Sequence, residues 1–258
     1  GVIFSSGTTG EPKAIMRNSF SILSEVIQWI IELRLQRETT FLIPRPLYYT
    51  GGFILMYSTL FAGGRVDLLD DISSESVLKY IKKETTDWSF IVPSVIREMN
   101  ANVNANGIKM SKNVLTMGSP IYYSEKKVFY EKFKCDLIEV WGNSEGLGTI
   151  TEPSDLFKHP YSIGRPFFTD FLDIETDCNK REGVLFGISD NKFSEYIEKP
   201  ELTRNVLRDG FIFSEDIGYK DDNGYFYLTG RVNDIIVING IKVFPTDIEK
   251  IVLKEKEV

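Results

Sequence analysis

The sequence predicts an α/β fold: a mostly parallel sheet with flanking helices, followed by a small β-rich barrel. Three observations carry this. Short apolar strands alternate with helix-length periodic segments from residue 1 to about residue 145. After about residue 160 the pattern changes to short strands separated by turn residues. Hydrophobic residues are 42% and charged residues 26% of the 258 positions, the balance of a chain that buries a real core.

Gly1-Val2-Ile3-Phe4 reads as a buried strand, and a glycine-rich loop follows it. Residues 17 to 36 read as a helix, with Asn18 as N-cap and Phe20, Leu23, Ile27, Ile30 and Ile31 as its apolar face. Residues 39 to 46 form a short extended run broken by Pro44 and Pro46. An apolar stretch from Gly51 is punctuated by Gly63-Gly64, and residues 65 to 69 alternate like a strand. Helices are predicted over 74–83 and 124–134, and strands over 88–92, 113–117 and 137–141. Beyond residue 160 the strands are 183–188, 211–213, 217–220 and 225–228. Asp221-Asp222-Asn223-Gly224 predicts a hairpin with a type I′ turn. A third unit begins near Arg231, and an amphipathic helix starts near Asp247. The expected division is 1–160, 161–231 and 232–258. A chain that opens on a strand and stops in a helix predicts a piece of a longer protein, lacking material at both ends.

Thirty basic against 37 acidic residues leave a formal charge of −7, which argues against a dedicated nucleic-acid binder but not against a local anion site. Cys135 and Cys178 are too few and too far apart for a disulfide framework, so a reducing, cytoplasmic setting is expected. No apolar run approaches the ~20 residues of a membrane span, and no basic-then-apolar leader opens the chain. The single histidine, His159, sits in a Lys-His-Pro loop and reads as surface; a histidine triad or multi-histidine metal site is excluded.

The sharpest chemical signal is Ser5-Ser6-Gly7-Thr8-Thr9-Gly10-Glu11-Pro12-Lys13. Two glycines free the backbone so that amides can converge on an anion. Four hydroxyls add donors, and Lys13 supplies a point charge suited to phosphate. The spacing fits neither a Walker loop nor a dinucleotide fingerprint.

This string resembles the phosphate loop of the adenylate-forming superfamily: acyl- and aryl-CoA synthetases, luciferases and peptide-synthetase adenylation domains. Further segments resemble that family in the same order, and together they cover essentially the whole chain. Thr116-Met117-Gly118-Ser119-Pro120 resembles the adenine-side Gly-Gly-Ala-Pro, and Trp141-Gly142-Asn143-Ser144-Glu145 resembles Tyr-Gly-x-Thr-Glu. Residues 161–166 resemble the Ser-x-Gly-Arg-Pro entry to the barrel. Ser214-Glu215-Asp216 resembles Thr-Gly-Asp, and Gly230-Arg231-Val232-Asn233-Asp234 resembles the hinge. Residues 240–249 resemble the opening of the C-terminal α+β lid, so the fold class gains the start of such a lid.

The resemblance implies ATP- and Mg²⁺-dependent coupling of a carboxylic acid to AMP, then attack by a thiol, CoA or another pantetheine. It implies that Thr8, Thr9, Gly10 and Lys13 hold the β,γ-phosphates, within a nucleotide loop that includes Ser5, Ser6 and Gly7. Trp141 would stack on adenine, with Ser119 and Pro120 along the base and Gly142 and Asn143 beside it. Ser144 would bond the α-phosphate and Glu145 would hold Mg²⁺. Thr8, Lys13, Ser144 and Glu145 are thereby the implied catalytic residues. Asp216 and Arg231 would bind the ribose hydroxyls, Asn233 would be the hinge, and Gly118, Tyr49, Thr50 and Gly51 would border the acid pocket.

Some positions depart from the family pattern. Tyr49 stands where relatives carry a histidine that helps gate the pantetheine tunnel. No aspartate lies between Pro44 and Phe53, which favours a plain acyl or aryl acid over an α-amino acid. Glu215 replaces a glycine, placing bulk and negative charge near a polyanionic ligand. Asn233 replaces the hinge aspartate or lysine, and the family's adenylation lysine falls beyond Val258. Two alternatives stay open beside the acid–thiol ligase: a degenerate nucleotide or acyl-ligand binding module, and an adenylation domain that loads a carrier protein. The sequence does not specify the acid or the oligomeric state.

Overall fold

The computed structural model describes residues 1–5, 12–44, 47, 50–176, 181–238 and 241–252. The chain opens with β1 (Val2–Ser5) and β2 (Lys13–Met16), an antiparallel pair with Ser5 opposite Lys13. The expected buried strand is half of an exposed-faced hairpin: Val2 is 50% and Phe4 66% exposed, while Ile3 packs against the cluster of Ile15, Phe193 and Tyr196.

Helix α1 (Ser19–Glu32) starts as expected, with Asn18 Oδ1 accepting the Ser21 N–H at 2.8 Å. Its buried face is not the expected one. Phe20, Leu23, Ile27 and Ile31 are exposed, while Ser21, Val26, Gln28 and Trp29 are buried. Trp29 meets Phe167 edge-on with ring centroids 5.2 Å apart, and Gln28 donates to Thr169 and to Asp170, so tertiary partners select that face.

The large sheet is built from β3 (Thr40–Ile43), β4 (Arg65–Leu68), β5 (Trp88–Phe90), β6 (Asn113–Met117), β7 (Asp136–Gly142), β8 (Gly148–Ile150) and β9 (Arg165–Pro166). Their order is β4-β3-β5-β6-β7-β8-β9, parallel from β4 to β7 and antiparallel beyond. The connecting helices are α2 (Thr50–Phe61), α3 (Ser74–Ile81), α4 (Pro93–Ala101), α5 (Tyr123–Phe133) and the short α6 (Asp155–Lys158). Alternate strand residues face opposite layers. Phe41, Ile43, Leu115 and Ile138 pack on α1 and α2. Leu42, Val114 and Leu137 pack on α3, α4 and α5. The α2 segment carries no legible helical period in sequence, because its mixed apolar and Gly51-Gly52 composition hides one.

The barrel is a five-stranded antiparallel sheet: β10 (Phe171–Glu175), β11 (Gly183–Ile188), β13 (Leu207–Arg208), β14 (Phe211–Lys220) and β15 (Phe226–Arg231). Between β11 and β13 lie β12 (Glu195–Tyr196) and α7 (Pro200–Val206). Leu147, Ile163, Leu172, Leu185, Ile212 and Phe226 fill the core. The two strands expected at 211–213 and 217–220 are one strand, β14, whose register against β15 shifts at Ile217/Gly218.

The β14–β15 hairpin forms, but not with a type I′ turn. Of its four turn residues only Gly224 takes a positive φ, +81°. The Gly224 N–H bonds Asp221 O at 3.0 Å, and Asp221 Oδ1 accepts from Asn223 and Tyr225 N–H, each at 2.9 Å. The aspartate cap lets Asn223 keep a negative φ. His159 is not a plain surface residue. Its ring stacks on Tyr225 at 3.6 Å beside this turn.

Gly164 admits no other residue: at φ +94°, a Cβ would lie 2.1 Å from Ile150 O. Arg17 and Asn191 hold the barrel side against α1. Arg17 Nη2 donates to Asn191 O at 2.8 Å, and Asn191 Nδ2 donates to Gln28 Oε1 at 2.6 Å. The chain continues through the β16 (Ile236–Ile238) and β17 (Ile241–Val243) hairpin to α8 (Pro245–Val252). No described helix is long and apolar enough to cross a membrane. Cys135 is a buried free thiol pushed up to about 12 by burial; Cys178 lies outside the described residues.

Candidate functional site

The sheet order places a switch between β3 and β5, where consecutive connections run in opposite directions. Open α/β sheets bind ligands beyond the carboxyl ends of their strands near such points. Thr50 and Gly51 begin α2 after β3, and Gly118, Ser119 and Pro120 follow β6. Met117 pairs with Val140, so Gly118 and Trp141 are the next residues on adjacent strands. Gly118 takes φ +100°, which turns the chain out of the sheet, and Ser119 and Pro120 are exposed there.

β7 ends at Gly142, and the turn after it holds Asn143, Ser144 and Glu145. Asn143 Oδ1 accepts the Gly146 N–H at 3.0 Å and the Leu147 N–H at 2.9 Å, so this side-chain oxygen shapes the turn. Ser144 and Glu145 are half-buried. The Phe193 N–H bonds Glu145 O at 2.8 Å, which fixes the turn against the segment leading into β12.

β12 pairs with β2, with Tyr196 opposite Ile15. Lys13 lies two residues from Ile15 and on the same face. Lys13 Nζ sits 5.5 Å from the Tyr196 ring centroid and 3.9 Å from Glu215 Oε1. The Tyr196 hydroxyl donates to Glu145 Oε1. Burial, then the neighbouring Glu145 carboxylate, pushes the Tyr196 phenol well above the usual tyrosine range, so it remains a donor.

Glu215 joins this cluster to a second one. Its Oε2 lies 3.3 Å from Arg231 Nη2. Arg231 Nε pairs with Asp216 Oδ1 at 3.0 Å, and Asp216 Oδ2 accepts the Trp141 indole N–H at 3.1 Å. Burial raises Asp216 above the ordinary carboxylate range, opposed by the Arg231 charge and the Trp141 hydrogen bond.

Lys13, Trp141, Glu145, Asp216 and Arg231 thus form one linked constellation with Glu215 and Tyr196. Ser144 and Asn143 border it through the same turn, and Gly142 through the end of β7. Asn233 lies on the exposed 3₁₀ turn Val232–Asp234, just past Arg231. Ser6, Gly7, Thr8, Thr9, Gly10 and Tyr49 lie outside the described residues, and only the backbone of Ser5 is within them. Tyr196 was missed by sequence reasoning. Its signal was faint: one aromatic in a two-residue strand before Pro200.

Among the described residues no group of three or more His, Cys, Asp or Glu side chains forms a metal cage. Glu145 presents one carboxylate, with Tyr196 on Oε1. A single carboxylate suits Mg²⁺ when phosphate oxygens and water complete its shell.

The chain is 28% identical to the uncharacterized acyl–CoA ligase YhfT of Bacillus subtilis, across 99% of this chain and 53% of that protein. It is 26% identical to the long-chain-fatty-acid–CoA ligase FadD13 of Mycobacterium tuberculosis, across 98% and 52%. The chain therefore spans about half the length of the curated relatives it matches. In fold it resembles the B. subtilis O-succinylbenzoate coenzyme A synthetase solved with AMP: TM-score 0.89 at 21% identity, over 99% of this chain and 54% of that one. The sequence model of the AMP-binding enzyme family matches residues 1–184, and on that match the chain belongs to the AMP-binding enzyme family.

Proposed function

We propose that this chain is the nucleotide-binding core of an ATP-dependent carboxylic-acid ligase that forms an acyl-adenylate and then a thioester. One observation carries the reading: Lys13, Glu145, Trp141, Asp216 and Arg231, drawn from four separate motifs, converge into one network. The family match and the CoA-ligase relatives support it.

The first step brings a carboxylate onto the α-phosphorus of a polyanion, forming a P–O bond as the bond to pyrophosphate breaks. Positioning and charge neutralisation do most of this work. Lys13 would balance phosphate charge and Ser144 would donate to the α-phosphate. Asp216 would accept ribose hydroxyls while Trp141 flanks the base. Mg²⁺, held by Glu145, would supply further neutralisation when bound. In the second step a thiol sulfur bonds to the acyl carbonyl carbon and AMP leaves; CoA is the expected thiol. The acid is expected to be a plain acyl or aryl acid. On this reading residues 1–160 carry the phosphate-binding sheet, 161–231 the barrel, and 232–258 open a lid.

A second reading, a nucleotide-binding module without catalysis, is favoured by the Lys13–Glu215 contact at 3.9 Å. ATP–pyrophosphate exchange across fatty, aryl and amino acids separates the two. It is run on this chain and on the longest product of its gene. Exchange with one acid class in the longer product, weak or absent in this chain, is the expected result. Nucleotide binding without exchange for any acid favours the second reading.

A further inference from the structure

We propose that Glu215 is a built-in anion that competes with nucleotide phosphates for Lys13, making the site discriminate against free ATP relative to adenosine and AMP. The inference rests on the nucleotide-site reading above. Glu215 spans both cations of the cluster, with Oε1 3.9 Å from Lys13 Nζ and Oε2 3.3 Å from Arg231 Nη2. Its side chain is 28% exposed and that of Lys13 is 13% exposed, so water screens their pairing only in part. Arg231 is already engaged by Asp216 at 3.0 Å, which leaves Lys13 the less committed cation.

Among the described residues two cations, Lys13 and Arg231, face three carboxylates, Glu145, Glu215 and Asp216, and the Asp234 charge acts on Asp216 as well. Negative charge is in excess there, an unfavourable setting for a free triphosphate. A phosphate drawn to Lys13 meets the Glu215 carboxylate across the same ammonium group. One like charge roughly 7 Å away, at the effective dielectric of ~20 near a protein surface and with salt screening about half of the effect, changes affinity by about tenfold. Adenosine carries no phosphate and does not feel this term. A divalent cation on Glu145 would offset that excess, so Mg²⁺ is required for ATP to bind well. A glycine at position 215, as the family resemblance has it, would lack the device.

The test is calorimetric titration of the chain with adenosine, AMP, ATP and ATP with Mg²⁺, repeated on Glu215→Gln and Glu215→Gly. Circular dichroism checks folding; the glycine variant serves if the glutamine variant misfolds. The expected result is a rise of about tenfold in the ATP-to-adenosine affinity ratio in either variant, and a weaker Mg²⁺ requirement. A ratio that stays within twofold while adenosine still binds overturns the inference and leaves the nucleotide site standing. Failure of the unaltered chain to bind any of the four ligands overturns the nucleotide-site reading and the inference with it.

Discussion

Replacing Tyr196 by phenylalanine removes one hydroxyl and keeps the ring that Lys13 faces. The hydroxyl donates to Glu145, and the residue is only 2% exposed. Because burial and Glu145 hold the phenol above the usual tyrosine range, the donor persists through neutral pH. A hydrogen bond to a charged partner contributes about 1.5–3 kcal/mol. Glu145 is half-buried, so water partly replaces the lost donor, and the lower end applies. Tyr196→Phe should therefore lower the unfolding free energy by about 1.5 kcal/mol in urea. A cycle with Glu145→Ala isolates the pair, and a coupling of about 1 kcal/mol is expected. A coupling below about 0.5 kcal/mol, within the scatter of independent sites, would refute the contact. The same variant should weaken Mg²⁺-dependent ATP binding more than adenosine binding, because the ring contact with Lys13 survives.

Lys126 and Glu139 form a 2.8 Å pair with side chains only 8% and 13% exposed, and burial raises the Glu139 carboxyl. Lys126→Met should cost about 3–5 kcal/mol in urea unfolding, and adding Glu139→Leu should restore most of it, since one unpaired buried charge costs more than none. Asp170 is pushed up to about 6 from 3.8, first by burial, against hydrogen bonds from Ser189, Thr169, Gly148 and Gln28. The folded state keeps a proton that the unfolded state releases, so this contribution is full below pH 3.8 and is lost as pH rises through about 6. Relative to Asp170→Asn, thermal melts should show the parent chain losing up to about 3 kcal/mol between pH 3.5 and 7, with the gap flat above pH 7.

Some elements were legible because their signal is local. The β6 and β11 bounds were expected as observed, and Asn18 caps α1 as its side chain suggests. The hairpin at 221–224 was legible as a hairpin but not in its turn type, since the Asp221 carboxylate captures two amides and changes which φ values are needed. The α1 face was misread. The helix carries apolar residues around most of its circumference, and periodicity cannot say which side meets a partner. Trp29 and Gln28 settle it by what they touch near Phe167 and Asp170.

What local sequence carried was the alternation of strands and helices that marks an α/β sheet followed by short antiparallel strands, and which side chains carry charge suited to a phosphate and a ribose. Those are properties of short windows: periods of 3.6 and 2, and residue types at fixed spacing. The pairing of β12 with β2, which brings Tyr196 between Lys13 and Glu145, is visible in three dimensions alone. So is the reach of Glu215 to both Lys13 and Arg231. These pairings join strands remote along the chain, and a charge's partners depend on distance in space, to which no local window has access.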